Sequence, residues 1–350
     1  MINTNEYIIR KSKELDIDII GFTDGSPFLE VKEILLRRRE ENRQTEFEEK
    51  DIEKRINPLI TLDSCKSIIV IGLSYNVENN YNKLEFELRG RLSKSSWGID
   101  YHKVLNNKLE LLIKELKKEL DFEYKSFVDT GPLIDRELAR RAGVGYFGKN
   151  CSIINDNYGS FIFLGYILTS LKLDSSAKVE EKCGDCNLCI KACPTKALEE
   201  PYNLNPKRCI SYLTQTKENI PLEFRGKMGI KIYGCDTCQN VCPKNKRIIK
   251  SNHKEFIPET TQGYMDIEEL LFISNKEFKK EYGNIAGSWR GKTILKRNAI
   301  IALGNMKKEE NLNLLINELK SPNPMIREYA SWSISNIYLT MISNIQQDML

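Results

Sequence analysis

Cysteine is the residue type in this 350-residue sequence whose spacing most clearly indicates chemistry, because eight of the ten cysteines lie between residues 183 and 242. The first group follows the pattern C-x2-C-x2-C-x3-C-P and consists of Cys183, Cys186, Cys189 and Cys193, followed by Pro194. The second group has one cysteine far upstream of the rest and consists of Cys209, then Cys235, Cys238 and Cys242, followed by Pro243. Eight thiols arranged in this way predict metal binding.

The spacing predicts two cubane iron–sulfur clusters. A C-x2-C-x2-C-x3-C-P run is the motif of bacterial ferredoxins, in which the fourth cysteine of each motif binds the cluster of the other motif. With that exchange, one cluster is held by Cys183, Cys186, Cys189 and Cys242, and the other by Cys193, Cys209, Cys235 and Cys238. A chain that carries such clusters transfers electrons one at a time. Because Cys209 lies far from Cys235, the residues between them must fold back toward the cluster.

Zinc is the competing interpretation, since two zinc ions with four thiolates each would also use all eight cysteines. Zinc ribbons usually separate two C-x2-C pairs by a longer loop, whereas three cysteines at x2 spacing followed by x3 and proline suit a cubane better. Cys65 and Cys151 belong to neither set. For both we expect buried free thiols.

The composition is that of an ordinary globular protein, with 41% hydrophobic and 29% charged residues and a formal net charge of +4. The first residues show no basic segment followed by an apolar one, so no secretory signal is visible. The most apolar stretch, residues 160–171, is too short to span a bilayer and contains Gly165. Together with the thiolates, these features predict a cytoplasmic protein with no membrane partner.

The chain reads as three regions. Residues 1–175 have the pattern of a mixed α/β (α+β) domain: residues 67–73 form an apolar run typical of a buried strand, and residues 101–120 have helical periodicity. Residues 176–250 form the ferredoxin-like domain with two clusters. Residues 251–350 are predicted to be a linker and amphipathic helices that resemble HEAT repeats. These helices could be a cap on the catalytic body or a surface for a macromolecular partner, and the sequence favours neither.

The sequence resembles the epoxyqueuosine reductase family, whose members finish queuosine in the anticodon of certain tRNAs. The resemblance covers nearly the whole chain in order, and its motifs are specific only in combination. They lie at residues 53–55, 97–102, 128–131, 139–145, 148–150, 158–160, 208–214 and 232–239.

What the resemblance implies is a cobalamin held between the N-terminal domain and the cluster domain. The clusters would reduce its cobalt, which would supply two electrons to the epoxide of the modified base, and the oxygen would leave as water. By the same resemblance, the residues that line the cobalamin are Arg55, Ser93, Asp129, Ile153, Leu164, Ser211 and Asp236. The sequence around Ser93 departs from the family pattern. Only two histidines are present, and for His102 we expect a packing or capping role rather than a bond to cobalt.

Removal of the epoxide oxygen needs an acid, because an alkoxide is too basic to leave unaided. The family match indicates Asp129, which follows Phe127 and Val128 where a strand ends and a loop opens. We expect burial to raise the pKa of Asp129 so that its carboxyl group is protonated near neutral pH. The alternative role is a cap on the turn that follows. Asp135 is the rival carboxyl group, and we expect it to be ion-paired with Arg136 and ionised.

A tRNA partner must be recognised through charge, since Lys and Arg side chains bind phosphates without reading the sequence. The resemblance singles out Arg136 and Lys217 for tRNA binding, and an unstacked anticodon base suits recognition of a single-stranded loop. We also expect an external low-potential electron donor and a monomer. Two other functions stay open: a reductive dehalogenase-like corrinoid reductase of a small organic substrate, and a ferredoxin-type electron carrier.

Overall fold

The computed structural model describes residues 3–78 and 87–348. By its internal contacts the chain divides into two compact units, each built from three separate segments. The first unit comprises Met1–Glu78, Tyr101–Lys207 and Thr237–Phe256, and the second comprises Asn79–Asp100, Arg208–Asp236 and Ile257–Leu350. Within the described residues, no helix combines the length and the apolar character needed to cross a membrane.

Strands and helices are mixed along the chain as far as Asp266, and the described elements after it are helices. The helices, α1 to α15, are Thr4–Glu14, Lys32–Glu40, Ile52–Ile56, Pro58–Thr61, Tyr101–Leu116, Asp135–Arg141, Leu188–Ala192, Ile210–Leu213, Leu222–Arg225, Thr237–Asn240, Ile267–Phe272, Asn275–Tyr282, Lys292–Met306, Leu312–Glu318 and Pro324–Asp348. The strands, β1 to β11, are Ile19–Asp24, Ser67–Ser74, Arg89–Leu92, Tyr124–Phe127, Tyr146–Phe147, Ile153–Ile154, Ile162–Thr169, Leu198–Glu200, Asn203–Leu204, Lys231–Tyr233 and Tyr264–Asp266.

The first unit is organised around a four-stranded sheet with the order β1-β2-β7-β4, in which every neighbouring pair is antiparallel. Strand β2 is buried at every position, as its apolar run predicts. Helix α5 covers one face, where Leu105 and Leu109 approach Gly165 of β7. Leu138 of α6 joins the core on the other face together with Tyr166 of β7. The predicted helix at residues 101–120 ends at Leu116.

The second unit contains a three-stranded sheet with the order β10-β3-β11 and a layer of helices. Helix α13 packs against α15, and α14 packs against α15 as well. The middle of α13, from Ala299 to Leu303, has no exposed surface, so this helix is the centre of the unit's core. Helices predicted within residues 251–350 are therefore present, as α11 to α15, and Pro324 is the first residue of α15.

Candidate cluster and carboxylate sites

Four of the eight predicted cluster ligands lie around one cavity in the first unit. The cavity is partly open to solvent, and its lining is Lys149, Asn150, Ile154, Cys183, Cys186, Cys189, Cys242, Pro243 and Lys244. Helices α7 and α10, which lie within the two cysteine motifs and carry Cys189 and Cys238, pack against each other. This packing brings Cys242 to the three cysteines of the first motif, which is the set predicted by exchange of the fourth cysteine.

The cavity suits a positively charged metal group. Burial raises the pKa of Cys183 to about 11, and it also raises the pKa values of Cys189 and Cys242. Buried thiols of this kind ionise readily only when metal ions take the place of their protons. The donor set, four thiols around one cavity, therefore fits an iron–sulfur cluster.

The other four predicted ligands are divided between the units. In the first unit, Cys193 accepts a hydrogen bond from the backbone N–H of Ala197 at 3.2 Å, and Cys238 lies on α10. In the second unit, Cys209 precedes α8, and both Cys209 and Cys235 pack against the core.

A buried polar pair on α13 fixes the backbone next to Cys209 and Cys235. Arg297, which has no exposed surface, donates to the carbonyl oxygens of Leu213 at 2.8 Å and Thr216 at 2.7 Å. Asn298 donates to the carbonyl oxygens of Thr214 and Ile232, each at 2.7 Å. Burial lowers the pKa of Arg297 to about 10, which leaves it charged at neutral pH. The C-terminal helices thus hold the second unit's two cysteine segments in place.

Asp129 lies in a tight turn directly after β4. Its φ angle is +58°, in the left-handed region that aspartate tolerates better than most residues, and Thr130 N–H bonds back to the carbonyl oxygen of Val128 at 2.6 Å. A side chain at Gly131 would collide with the hydroxyl oxygen of Tyr166 and with Phe127. The turn therefore presents the Asp129 side chain outward, where 63% of its surface is exposed.

His102 is the main partner of Asp129. Its Nε2 atom lies 3.5 Å from Oδ2 of Asp129. The imidazole stacks on Tyr101 with ring centres 4.1 Å apart, and Tyr101 stacks on Phe163 of β7 at 4.3 Å. These stacks fix the first turn of α5 against the sheet. His102 is thus a site residue for which a packing or capping role was predicted, and the only sequence signal was its place in the motif at residues 97–102.

The predicted raised pKa of Asp129 is wrong for this structure. The hydrogen bond with His102 lowers the pKa of the carboxyl group, and although burial acts in the opposite direction, a hydrogen bond with Tyr101 and the charge of Arg136 lower it further. Asp129 is therefore ionised near neutral pH in the protein without substrate.

The prediction for Asp135 is also wrong. Burial raises the pKa of this carboxyl group to about 8, and the charge of Asp129 adds to the effect more than Arg136 opposes it. The Oδ1 atom of Asp135 is buried with no hydrogen-bond partner among the described residues. Arg136 instead donates to the carbonyl oxygen of Cys151 at 2.6 Å. Asp135 is consequently protonated at neutral pH.

Three other residues predicted to line a cobalamin lie in the first unit. Arg55 is paired with Glu48 at 2.7 Å, and Arg38 binds the same carboxylate at 2.9 Å. Ile153 is buried in β6, and Leu164 is partly buried in β7. Because two guanidinium groups share the carboxylate of Glu48, this group of three residues has a net positive charge. The sequence analysis did not identify Arg38 as a neighbour of Arg55.

The remaining predicted residues of that set lie in the second unit. Asp236 accepts a hydrogen bond from the backbone N–H of Lys94 at 2.8 Å, and burial raises its pKa. Ser93, which precedes Lys94 in the sequence, is buried, and its backbone N–H bonds to the carbonyl oxygen of Tyr233 at 2.9 Å. Ser211 is partly buried on α8. The structure brings Ser93 and Asp236 together through Lys94.

The two residues singled out for tRNA binding are both exposed, Arg136 on the first unit and Lys217 on the second. Of the two leftover cysteines, Cys65 is buried as predicted, but Cys151 is partly exposed.

Two family models match the chain. Residues 55–130 match the model described as epoxyqueuosine reductase QueG, DUF1730, and residues 182–245 match the 4Fe-4S double cluster binding domain. The second match contains all eight clustered cysteines and supports iron–sulfur over zinc.

The chain is also similar to named proteins over most of its length. It is 46% identical over 334 residues to an epoxyqueuosine reductase of Bacillus anthracis, covering 94% of this chain and 88% of the relative. A crystal structure of an epoxyqueuosine reductase with an epoxyqueuosine-modified tRNA-Tyr stem loop superposes with a TM-score of 0.91 at 43% identity, covering 95% of this chain and 90% of the other. A Bacillus subtilis epoxyqueuosine reductase whose catalytic aspartate loop is swung out of the active site has a TM-score of 0.89, with the same identity and coverage.

Proposed function

Because the chain belongs to the epoxyqueuosine reductase family, we propose that it removes the epoxide oxygen of epoxyqueuosine at the wobble position of a tRNA to give queuosine, the last step of queuosine synthesis. The observation that carries the proposal is the nearly full-length similarity to a reductase solved with an epoxyqueuosine-modified tRNA stem loop. The reaction consumes two electrons and two protons, breaks both C–O bonds of the epoxide, and yields an alkene and water.

The cofactors are two [4Fe-4S] clusters and a cobalamin. The clusters are held by the two sets of four cysteines given above, of which the set in the first unit already surrounds one cavity. The cobalamin, when bound, supplies a low-potential metal that delivers the electrons to the substrate. Its lining residues are Arg55, Ser93, Asp129, Ile153, Leu164, Ser211 and Asp236, and an external low-potential donor supplies the electrons.

Asp129 provides the proton that the epoxide oxygen needs. The carboxylate is ionised in the substrate-free protein, so the proton must arrive there before or during substrate binding. His102, with Nε2 3.5 Å from the carboxylate, is placed to pass a proton to it. A bound nucleobase would displace water from the exposed Asp129 side chain, and this raises the pKa of a carboxyl group and favours the protonated form.

The tRNA is held by phosphate contacts. The exposed Arg136 and Lys217 supply positive charge from the two units. Residues 1–175 form the cobalamin-binding catalytic domain, residues 176–250 the two-cluster domain, and residues 251–350 a linker and HEAT-like helical repeats. We place the enzyme in the cytoplasm as a monomer.

The test is an anaerobic assay with the purified, reconstituted chain and a synthetic anticodon stem loop that carries epoxyqueuosine. Nucleosides are analysed by mass spectrometry after digestion, and reactions lacking cobalamin, reductant or iron serve as controls. Conversion to queuosine only in the complete reaction supports the proposal.

The opposite result would be a chain with full cofactor content that leaves the stem loop unchanged. If such a chain binds cobalamin and reduces organohalides, it is a dehalogenase-like reductase. If it binds no cobalamin but exchanges electrons, it is a ferredoxin-type carrier.

A further inference from the structure

The side chain of Asn150 is the one polar group in the lining of the four-cysteine cavity that is both nearly fully buried and lacking a partner among the described residues. Only 6% of its surface is exposed, and its Nδ2 atom is buried with no hydrogen-bond acceptor. A buried N–H group without an acceptor loses its hydrogen bonds to water and gains none in return, which is unfavourable. Asn150 shares this lining with four thiols, so a group that those thiols hold would be a neighbour of the unpartnered donor.

The orientation of the Asn150 carboxamide is fixed by its other end. Its Oδ1 atom accepts a hydrogen bond from the backbone N–H of Ser152 at 3.1 Å. An amide nitrogen could not accept that bond, so oxygen and nitrogen cannot be exchanged. The NH2 group is therefore the end of the carboxamide that has no partner among the described residues, and Asn150 belongs to the lining of the cavity.

The turn that carries Asn150 is built tightly. Gly148 N–H bonds to the carbonyl oxygen of Ser152, and Cys151 N–H bonds to that of Gly148, each at 2.8 Å. A side chain at Gly148 would come within 2.7 Å of the Asn150 Oδ1 atom and within 2.5 Å of Ile154. Lys149, next in the turn, donates to the carbonyl oxygen of Gly184 in the loop between the first two cysteines. The same turn thus contacts the cysteine loop and contributes Asn150 to the lining of the cavity.

We propose that Asn150 donates an N–H···S hydrogen bond to the iron–sulfur cluster held by Cys183, Cys186, Cys189 and Cys242, and that this bond raises the reduction potential of that cluster. Hydrogen bonds to cluster sulfurs stabilise the reduced form, because the added electron increases the negative charge on sulfur. The inference rests on the proposed function only in that these four thiols hold a cluster. Asn150 acts as a positioning and tuning residue, and it takes no part in bond breaking at the substrate.

The experiment is an anaerobic redox titration of the holoenzyme without tRNA, followed by electron paramagnetic resonance. Asn150→Leu keeps the size of the side chain and removes the donor. We expect the cluster held by Cys183, Cys186, Cys189 and Cys242 to be about tenfold harder to reduce in this variant. For a one-electron couple, that is a reduction potential lower by about 59 mV. Ser152→Ala is the matched control, since it keeps the backbone N–H that holds Asn150, and its potential should equal that of the unmodified protein. The second cluster in the same molecule is an internal reference.

A second measurement uses the unmodified protein with ¹⁵N in asparagine side chains. Pulsed resonance on the reduced cluster should detect a coupled ¹⁵N nucleus that disappears in Asn150→Leu. An unchanged potential in a fully loaded variant would overturn the inference, and so would the absence of side-chain ¹⁵N coupling in the unmodified protein. If Asn150→Leu takes up no cluster, the presence or absence of side-chain ¹⁵N coupling in the unmodified protein is the deciding result. Loss of iron from the unmodified protein would instead refute the proposed function.

Discussion

The Nε2 atom of His102 lies 3.5 Å from the Oδ2 atom of Asp129, although the two residues belong to different elements. His102 is in the first turn of α5, and Asp129 follows β4. The pairing explains why the Asp129 carboxyl group is ionised before substrate binds, in spite of partial burial of its surroundings. Under the proposed function, Asp129 has to gain a proton before it can act on the epoxide oxygen, and His102 is the neighbour proposed to supply it.

Asp129→Asn should retain cobalamin and iron but lose turnover by about 10²–10⁴-fold, since that is the usual contribution of a general acid. The amide keeps the size of the side chain and cannot give up a proton to the alkoxide. The measurement is single-turnover conversion of the epoxyqueuosine stem loop, with cofactor content determined on the same sample. Full activity in this variant would remove Asp129 from the mechanism.

His102→Gln should slow single turnover about tenfold or more and change its pH profile. The hydrogen bond from His102 is the largest cause of the lowered pKa of Asp129, so its loss moves that pKa upward. The part of the pH profile of single turnover that depends on ionisation of the Asp129 carboxyl group should shift to higher pH. His253→Gln is the matched control, because the other histidine of the chain is bound to Asp18 at 2.9 Å. A rate and profile unchanged by His102→Gln would leave that residue a purely packing role.

Asp135→Asn should stabilise the protein at neutral pH by up to about 4 kcal/mol. The pKa of Asp135 is raised to about 8, so between about pH 4 and pH 8 the folded state binds more protons at this site than the unfolded state does. This site's contribution to stability therefore falls as the pH rises through that window. In the variant this fall should be missing. The measurement is anaerobic urea unfolding as a function of pH, with Glu33→Gln, an exposed carboxylate on α2, as control. Parallel pH profiles of variant and unmodified protein would contradict the assignment.

Arg297→Met should lower the free energy of unfolding by about 3 kcal/mol and reduce the iron content toward that of a single cluster. It leaves the carbonyl oxygens of Leu213 and Thr216 buried without donors, next to the segment that carries Cys209. Iron analysis and unfolding in urea are the measurements. Lys276→Met, an exposed substitution on α12, is the control. Full iron content in Arg297→Met would show that the second cluster does not depend on this anchor.

Arg136→Gln and Lys217→Gln should each weaken stem-loop binding and reduce the slope of log K against log salt by about 0.7–0.9, the effect of one phosphate contact. Neither change should alter the cofactor content. Fluorescence anisotropy with a labelled stem loop over a salt series is the measurement, and Lys276→Gln is the control. A variant with an unchanged slope would have no phosphate contact at that position.

The sequence was sufficient wherever the determining pattern is local. The spacing of Cys183, Cys186 and Cys189 predicted their common cavity, and exchange of the fourth cysteine predicted Cys242 beside them. The apolar run of β2 and the periodicity of α5 predicted the buried elements of the first unit, within a few residues at their ends. Each of these features leaves a pattern in the sequence, either the spacing of a motif or a run or periodicity of apolar residues.

The environments of single side chains could not be predicted in the same way. The pKa values of Asp129 and Asp135 are determined by His102, Tyr101 and the packing of α6, which meet only after the sheet has formed. Asn150 gave no signal beyond its place in a family motif, because its function depends on the bond to Ser152 and on a cavity built from distant cysteines. Non-local contacts of this kind leave no periodicity in a sequence.

The bonds from Arg297 to Leu213 and Thr216 join residues 84 and 81 positions apart, and this separation constrains the order of biosynthesis. A ribosome releases Cys209 and Cys235 long before α13 emerges to fix the backbone around them. During that interval the nascent chain exposes thiols that have no defined geometry. If the second cluster depends on the Arg297 anchor, iron enters it late, after the C-terminal helices have been synthesised.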